Sequence, residues 1–464
     1  MQVLQSLDSQ KKLERFATED LKFVEPLELI LGHTSDNKPE TMQYVSLAAT
    51  LKKMECMEDV KHYITTSVAE GEGLLRDVCD GQLFSSCDAF SVSPCLPLLL
   101  YADEFTICNP LRSQGKSYKI MAVYVQIASL PVEKRSKLET IHLVSLCRSE
   151  FVKKYGMNAY LQPLVDELNL LNDQGVEMTV NDEQVSVPCQ LFLCIADNLG
   201  AHQLGGFVES FSANHPRRFC HVSRENMLAG RVGVPRNIAS HNTHLDQIRN
   251  APLLRSLYGV NGRSPLADVP GFNCTESLPS DIAHDIFEGV AKFYLNMMIK
   301  LFVRKGYISV DELNREIDSF PYIGPDSVDK PSPVLPNGDV KQTMCKMWCL
   351  MRLLPMFIGN KIPTNEPAWE LFCVLLSIVE YLTAKVLRRG HVEVLKDLIE
   401  EFIEGRISIF PNDALKPKEH FMLHYCDQIL KFGPLVHLWT IRFEAKHQQF
   451  VNIFKPIKCS KNVT

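Results

Sequence analysis

Two hydrophobic rhythms divide this chain. Between residue 94 and about 223, short apolar runs are broken by turn residues. Beyond that, apolar positions recur every three or four residues. In the first region, CLPLLLYADEF (95–105), KSYKIMAVYVQIASLP (116–131) and ETIHLVSLC (139–147) read as three consecutive strands. NAYLQPLVDELNLLNDQG (158–175) places Leu161, Leu164, Val165, Leu168 and Leu171 on one helical face and stops at Gly175. VEMTV and EQVSVP form a short hairpin, QLFLCIAD (190–197) is the next buried strand, and LGAHQLGGFVESFSA (199–213) is a helix after a tight turn. A three-strand meander followed by alternating helix and strand predicts a mixed α/β sheet.

The later region predicts long helices over 280–306, 341–357, 368–390 and 391–405, divided by the Pro-rich loop FPYIGPDSVDKPSPVLPNG. The last segment, 416–450, reads as two amphipathic helices parted by Gly433-Pro434, and the first twenty-one residues also look helical. Four units follow: a mainly helical N-terminal segment (1–93), an α/β core (94–223), an all-α block (224–415), and C-terminal helices (416–464) that complete the core.

With 464 residues, 45% of them apolar, a large core is available; the net charge of −6 gives no overall basic field for nucleic acid. Any DNA contact must then come from local patches, such as the Lys/Arg-rich stretch after Ile441. Fifteen scattered cysteines and an N-terminus without an apolar signal region favour free thiols in a reducing compartment. No apolar run reaches membrane-spanning length. No phosphate-binding P-loop, dinucleotide fingerprint or nucleophile elbow is present.

The candidate chemistry lies in acids at strand ends. Asp103 and Asp197 each close a run that must be buried, and a buried unpaired carboxylate is costly. A divalent cation removes that cost; carboxylates from neighbouring strands suit Mg²⁺. The plainer alternative is that each acid caps the following turn. His420 and His424 are spaced i, i+4, a metal-ligand spacing, and Cys220 is a possible partner. Cys345 and Cys349 share that spacing but sit among Met and Trp, so they belong to a core. His284, Asp285 and Glu288 follow a helix start at Ser280 or Asp281; the acids there read as a solvated face unless they meet a metal. The His241–His244 pair reads as lying in a polar loop and as incidental.

These blocks in this order resemble CACTA (EnSpm)-type DNA transposases of the animal branch. The resemblance is carried by YADEFTICNPLRSQGKSYKIMAVYVQIASLP, YLQPLVDELNLL, ADNLGAHQLGGFVESFSANHPRRFC, SDIAHDIFEG and HFMLHY…KFGPLVHLWTIRFEAKHQQF, from roughly residue 25 to 455. It implies an RNase H-like core, interrupted by a large all-α insertion, whose acidic triad falls on Asp103, Asp197 and Glu444. It is a layout shared with the V(D)J recombinase catalytic subunit. Glu288 is the reserve third acid, and His284 matches a residue near the active site. The resemblance implies two Mg²⁺ or Mn²⁺ ions, DNA partners (transposon ends and target), a homo-oligomer when active, and a nuclear location. It also implies zinc held by two cysteines and two histidines. Here His420, His424 and Cys220 match, but Arg217 stands at the first cysteine position, leaving three ligands with His221 as the available substitute. Arg217, Arg218, Lys446 and Lys455 are the expected phosphate contacts. The alternative reading is a catalytically inactive, transposase-derived protein that binds DNA or a partner.

Overall fold

The computed structural model describes residues 23–54, 57–65, 73–91, 94–107, 119–180, 182–210 and 213–454. The helix expected over the first twenty-one residues lies outside them. The fold is mixed α/β around a six-stranded mixed sheet. We number the sheet's strands β1 (Leu27–His33), β2 (Pro39–Tyr44), β3 (Leu96–Thr106), β4 (Lys119–Ile127), β5 (His142–Arg148) and β6 (Cys189–Ile195), in the spatial order β1-β2-β5-β4-β3-β6. The pairs β3–β4, β4–β5, β5–β2 and β2–β1 are antiparallel, and β3–β6 is parallel.

The expected meander is β3, β4 and β5. The N-terminal segment needs correction: it contributes β1 and β2, a hairpin that extends the sheet beyond β5. The edge strand LELILGH carries four Leu or Ile residues yet buries none of them fully, while PETMQY lies between β1 and β5 and buries Met42 and Tyr44. The block from 224 is also not purely helical, since Leu387–Arg388 pairs with Leu74–Leu75.

Strand period two sorts side chains onto two cores. Leu98, Leu100 and Ala102 face helix α1 (Met157–Gln174), whose buried Leu161, Leu164, Leu168 and Leu171 are the predicted stripe. Leu99, Tyr101 and Phe105 face the opposite side, where the helices of the second half pack. Asp103 shares their parity and therefore points to that helical side.

Five later elements matter for the site. Helix α2 (Asn198–Gly205) follows β6 and is shorter than expected, because Gly206 turns left-handed at φ +72 and ends it. The segment Ala283–Val290 is wound as a π-helix before α3 (Ala291–Arg304). Near the C-terminus come α4 (Pro417–Met422), α5 (Tyr425–Phe432) and α6 (Ile441–Phe454). The expected single helix across His420–His424 is thus two, with the break at Leu423–His424.

Candidate functional site

Two clusters stand on the helical side of the sheet. The first is acidic. β3 and β6 run parallel in register Tyr101↔Ile195, so the residues just beyond, Asp103 and Asp197, emerge at the same end of adjacent strands. Helix α6 lies across this end. Its Phe443 stacks on Tyr101 at 4.6 Å, and its His447 stacks on Phe105 at 4.2 Å. These rings flank Asp103 two residues to either side, which brings Glu444 to the same end. His447 Nδ1 lies 3.7 Å from Asp103 Oδ2.

Asp103 accepts hydrogen bonds from the Tyr101 hydroxyl (3.0 Å) and the Glu104 amide (2.7 Å). Burial raises its pKa to about 7; the charge of Asp197 and then of Glu444 adds to the rise, while the two hydrogen bonds oppose it. Asp197 does cap α2, accepting from the Gly200 amide at 2.7 Å, so the capping alternative describes one of its jobs.

Glu444 is raised by burial, and the neighbouring His284 and the Thr440 hydrogen bond pull it back. Thr440 Oγ1 is 2.8 Å from Glu444 Oε1 and 2.7 Å from Asp281 Oδ2. One hydroxyl proton serves one carboxylate at a time, so this pair of contacts favours a proton or cation shared among the acids.

His284 sits between the acids. Its Nδ1 donates to Asp281 at 2.5 Å, and its Nε2 lies 3.7 Å from Glu444 and 3.9 Å from Glu288. Burial alone would depress this imidazole, yet the Asp281 hydrogen bond and charge, with Glu444 and Glu288, raise it to about 10. It is therefore an imidazolium at neutral pH. The π-helical winding that carries His284, Asp285 and Glu288 is a form that recurs at functional sites.

The second cluster joins Cys220, His420 and His424. Cys220 Sγ lies 3.3 Å from His420 Nε2, and the two Nε2 atoms lie 3.3 Å apart. A tetrahedral zinc with Zn–N near 2.0–2.1 Å and Zn–S near 2.3 Å requires N···N of about 3.3–3.4 Å and S···N of about 3.5 Å. The donor set and spacing therefore fit zinc. Burial pushes His420 down to about 3 and His424 down to about 4, so both rings are neutral and their lone pairs are free for a metal. Among the described residues this is the one trio whose ligand atoms all lie within 4.8 Å of one another; the three acids are spread more widely.

Three expectations change. Arg217 and Arg218 are each 1% exposed and cannot reach a phosphate from solvent. Arg217 donates Nε to Met227 Sδ at 2.9 Å and covers the Phe421 ring at 4.7 Å, beside the Cys–His trio. His221 does not substitute for a fourth ligand, since its ring turns to His244 at 5.2 Å. Asp285 is not on a solvated face; it is fully buried, accepting from Asn198 Nδ2 at 2.6 Å. Lys446 is half-buried and donates to the Leu138 carbonyl at 2.9 Å, while Lys455 lies outside the described residues. Glu288 reaches the acid cluster through His284, at its more exposed edge.

Sequence reasoning missed Asp281, Thr440 and His447. A signal existed: Thr440 and His447 lie one helical turn to either side of Glu444, and Asp281 one turn before His284. No protein-family model matches the chain, and the comparison with curated proteins returns no match. Among the described residues no helix is long and apolar enough to cross a membrane.

Proposed function

We propose that the chain is a transposase-like enzyme that cleaves and transfers DNA strands by metal-assisted phosphoryl transfer, on an RNase H-like core interrupted by a helical insertion. One observation carries the reading: Asp103 and Asp197 leave adjacent parallel strands at one end, with Glu444 laid over them by the Tyr101–Phe443 and Phe105–His447 stacks. A buried Asp103 whose pKa is raised further by the charges of Asp197 and Glu444 belongs to a donor set that a divalent cation neutralises.

Asp103, Asp197 and Glu444 would hold Mg²⁺ or Mn²⁺. Such ions supply activation of an attacking water or 3′-hydroxyl and stabilisation of the leaving oxygen. The chain's own groups do the rest. Tyr101 and the Glu104 amide fix the Asp103 carboxylate, and Gly200 fixes Asp197. Thr440 orients Glu444. His284, charged and at the cluster's edge, neutralises Glu444 and offers a cation to a phosphate. Lys446 and Lys455 remain the candidate phosphate contacts, with DNA as the partner, an oligomer as the active form and the nucleus as the location. The Cys220–His420–His424 trio would hold one Zn²⁺ with three protein ligands.

The test is cleavage of a supercoiled plasmid and of single-end oligonucleotides in Mg²⁺ and Mn²⁺, for the wild-type chain and Asp197→Asn. Metal-dependent nicking abolished by the substitution supports the reading. Nicking that persists in Asp197→Asn sinks it. DNA binding without any nicking would instead support the inactive, transposase-derived reading, which the His284–Glu444 ion pair also favours.

A further inference from the structure

The two clusters are joined by one buried guanidinium. We propose that Arg218 is a positioning residue that ties the Cys–His centre to the acid cluster, so that the metal affinity of the acids depends on it; the proposal rests on the acids being a divalent-metal site.

Arg218 Nη1 donates to Asn198 Oδ1 at 2.8 Å, and Nη2 donates to the Pro279 carbonyl at 3.1 Å. Asn198 Nδ2 passes the connection on to Asp285 Oδ1 at 2.6 Å, and the Tyr425 hydroxyl reaches Asp285 Oδ2 at 3.4 Å. Each anchored residue adjoins a member of the acid cluster. Asn198 follows Asp197, Asp285 follows His284, and Pro279 stands two before Asp281. One planar group therefore ties together two chain segments, Asp197–Asn198 and Pro279–Asp285, that present acid-cluster side chains.

Its other face looks to the Cys–His centre. The guanidinium lies 4.2 Å over the Phe219 ring and 5.1 Å from that of Phe421. Phe219 packs against His424 at 5.5 Å and Phe421 at 5.6 Å. Phe219 also adjoins Cys220, and Phe421 adjoins His420. Arg218, Asn198 and Asp285 are 1%, 7% and 0% exposed, so water cannot replace a broken link. A buried charge is tolerated only when it is paired and hydrogen-bonded. Here the two Nη groups find their acceptors in Asn198 and the Pro279 carbonyl, groups whose places help define the acid site. Arginine is needed for the paired bonds to Asn198 and Pro279, since lysine has no planar fork.

The experiment measures Mn²⁺ affinity by electron paramagnetic resonance, and zinc content by mass spectrometry, on the full chain. Wild type, Asp197→Asn and Arg218→Lys are compared. Arg218→Lys is expected to weaken Mn²⁺ binding by about tenfold or more, the usual cost of losing an outer partner of a metal ligand, with zinc content and circular dichroism unchanged. Should Arg218→Lys fail to fold, Asn198→Ser cuts the same link while leaving the guanidinium in place and is expected to show the same loss. Mn²⁺ affinity within twofold of wild type in a folded variant overturns the proposal, and so does a parallel loss of zinc, which marks general loosening. If wild type and Asp197→Asn bind Mn²⁺ alike, the acid-site reading itself fails and this proposal with it.

Discussion

The Cys–His trio and the acid cluster stand on the same side of the same sheet, yet they are built in opposite ways. Cys220, His420 and His424 are buried, neutral, and already spaced as a tetrahedral ion requires. The acids are more open, mutually repelling, and held by other partners: Tyr101, the Gly200 amide, Thr440 and His284. A centre whose ligands already meet suits a structural metal. A centre whose ligands are tethered apart by hydrogen bonds and an imidazolium suits exchangeable ions that arrive with a substrate. The two clusters thus differ in whether their ligand atoms already meet, and in the sign of the charge each gathers: burial keeps the histidines of one neutral, while the other collects carboxylates around an imidazole.

The strongest way to break that contrast is at the third acid. Glu444→Gln is expected to lower metal-dependent nicking by about 10³-fold, equivalent to about 4 kcal/mol of barrier. Glu288→Gln, at the exposed edge beyond His284, is expected to leave the rate within about threefold, a barrier change under about 0.7 kcal/mol. Single-turnover rates decide it; the reverse ranking would make Glu288 the ligand and Glu444 the partner of His284.

Charge separates the regions again in their response to pH. Burial lowers His142 to about 4, His202 to about 3 and His241 to about 4, below the unfolded value near 6.5. Between those values the unfolded chain binds more protons, so stability is full above about pH 6.5 and is lost as pH falls toward 4. Asp103, raised to about 7, and Asp285, raised to about 6, both chiefly by burial, work against this with one proton each, and the three histidines outnumber them. His284 has the opposite sign. Its folded pKa near 10 means its contribution is complete below about 6.5 and is lost as pH rises toward 10. Thermal melts from pH 4 to 10 should therefore peak near neutrality, and His284→Gln should flatten only the alkaline side. A variant that flattens the acid side would show that His284 is not the charged group.

The sequence carried β3, β4 and β6 well, because they are continuous apolar runs with no other stable placement. It carried β1 and β2 poorly. LELILGH, at the sheet's edge, has no fully buried residue, and PETMQY offers only Met42 and Tyr44 as large apolar side chains, so neither marked itself as a core strand. Asp103 and Asp197 were legible because an acid closing a buried run is anomalous. Thr440 and Asp281 were not, since a Thr and an Asp near helix starts are ordinary. Arg217 and Arg218 misled for a physical reason. Basic residues are read as surface groups, but here two aromatic rings and a buried acceptor network hold them inside.

The Cys–His centre offers smaller effects. Cys220→Ser removes the thiolate, so bound zinc should fall from about one per chain to near zero, and the melting temperature should drop by several degrees in the absence of added metal. Arg217→Cys asks the finer question. The residue stands three before Cys220, where a fourth ligand would complete a closed tetrahedral site, and its guanidinium already lies beside the trio over Phe421. A cation so close to the ligands opposes a second cation. Replacing it by a thiolate both removes that repulsion and adds a donor, against the loss of a guanidinium packed on an aromatic ring. Two favourable changes against one unfavourable change should tighten zinc by about tenfold, or about 1.4 kcal/mol. Competition with a chromophoric chelator reads this directly. Looser zinc in a folded Arg217→Cys would mean that Arg217 supports the trio through its stacking on Phe421, making three protein ligands the completed design of this centre.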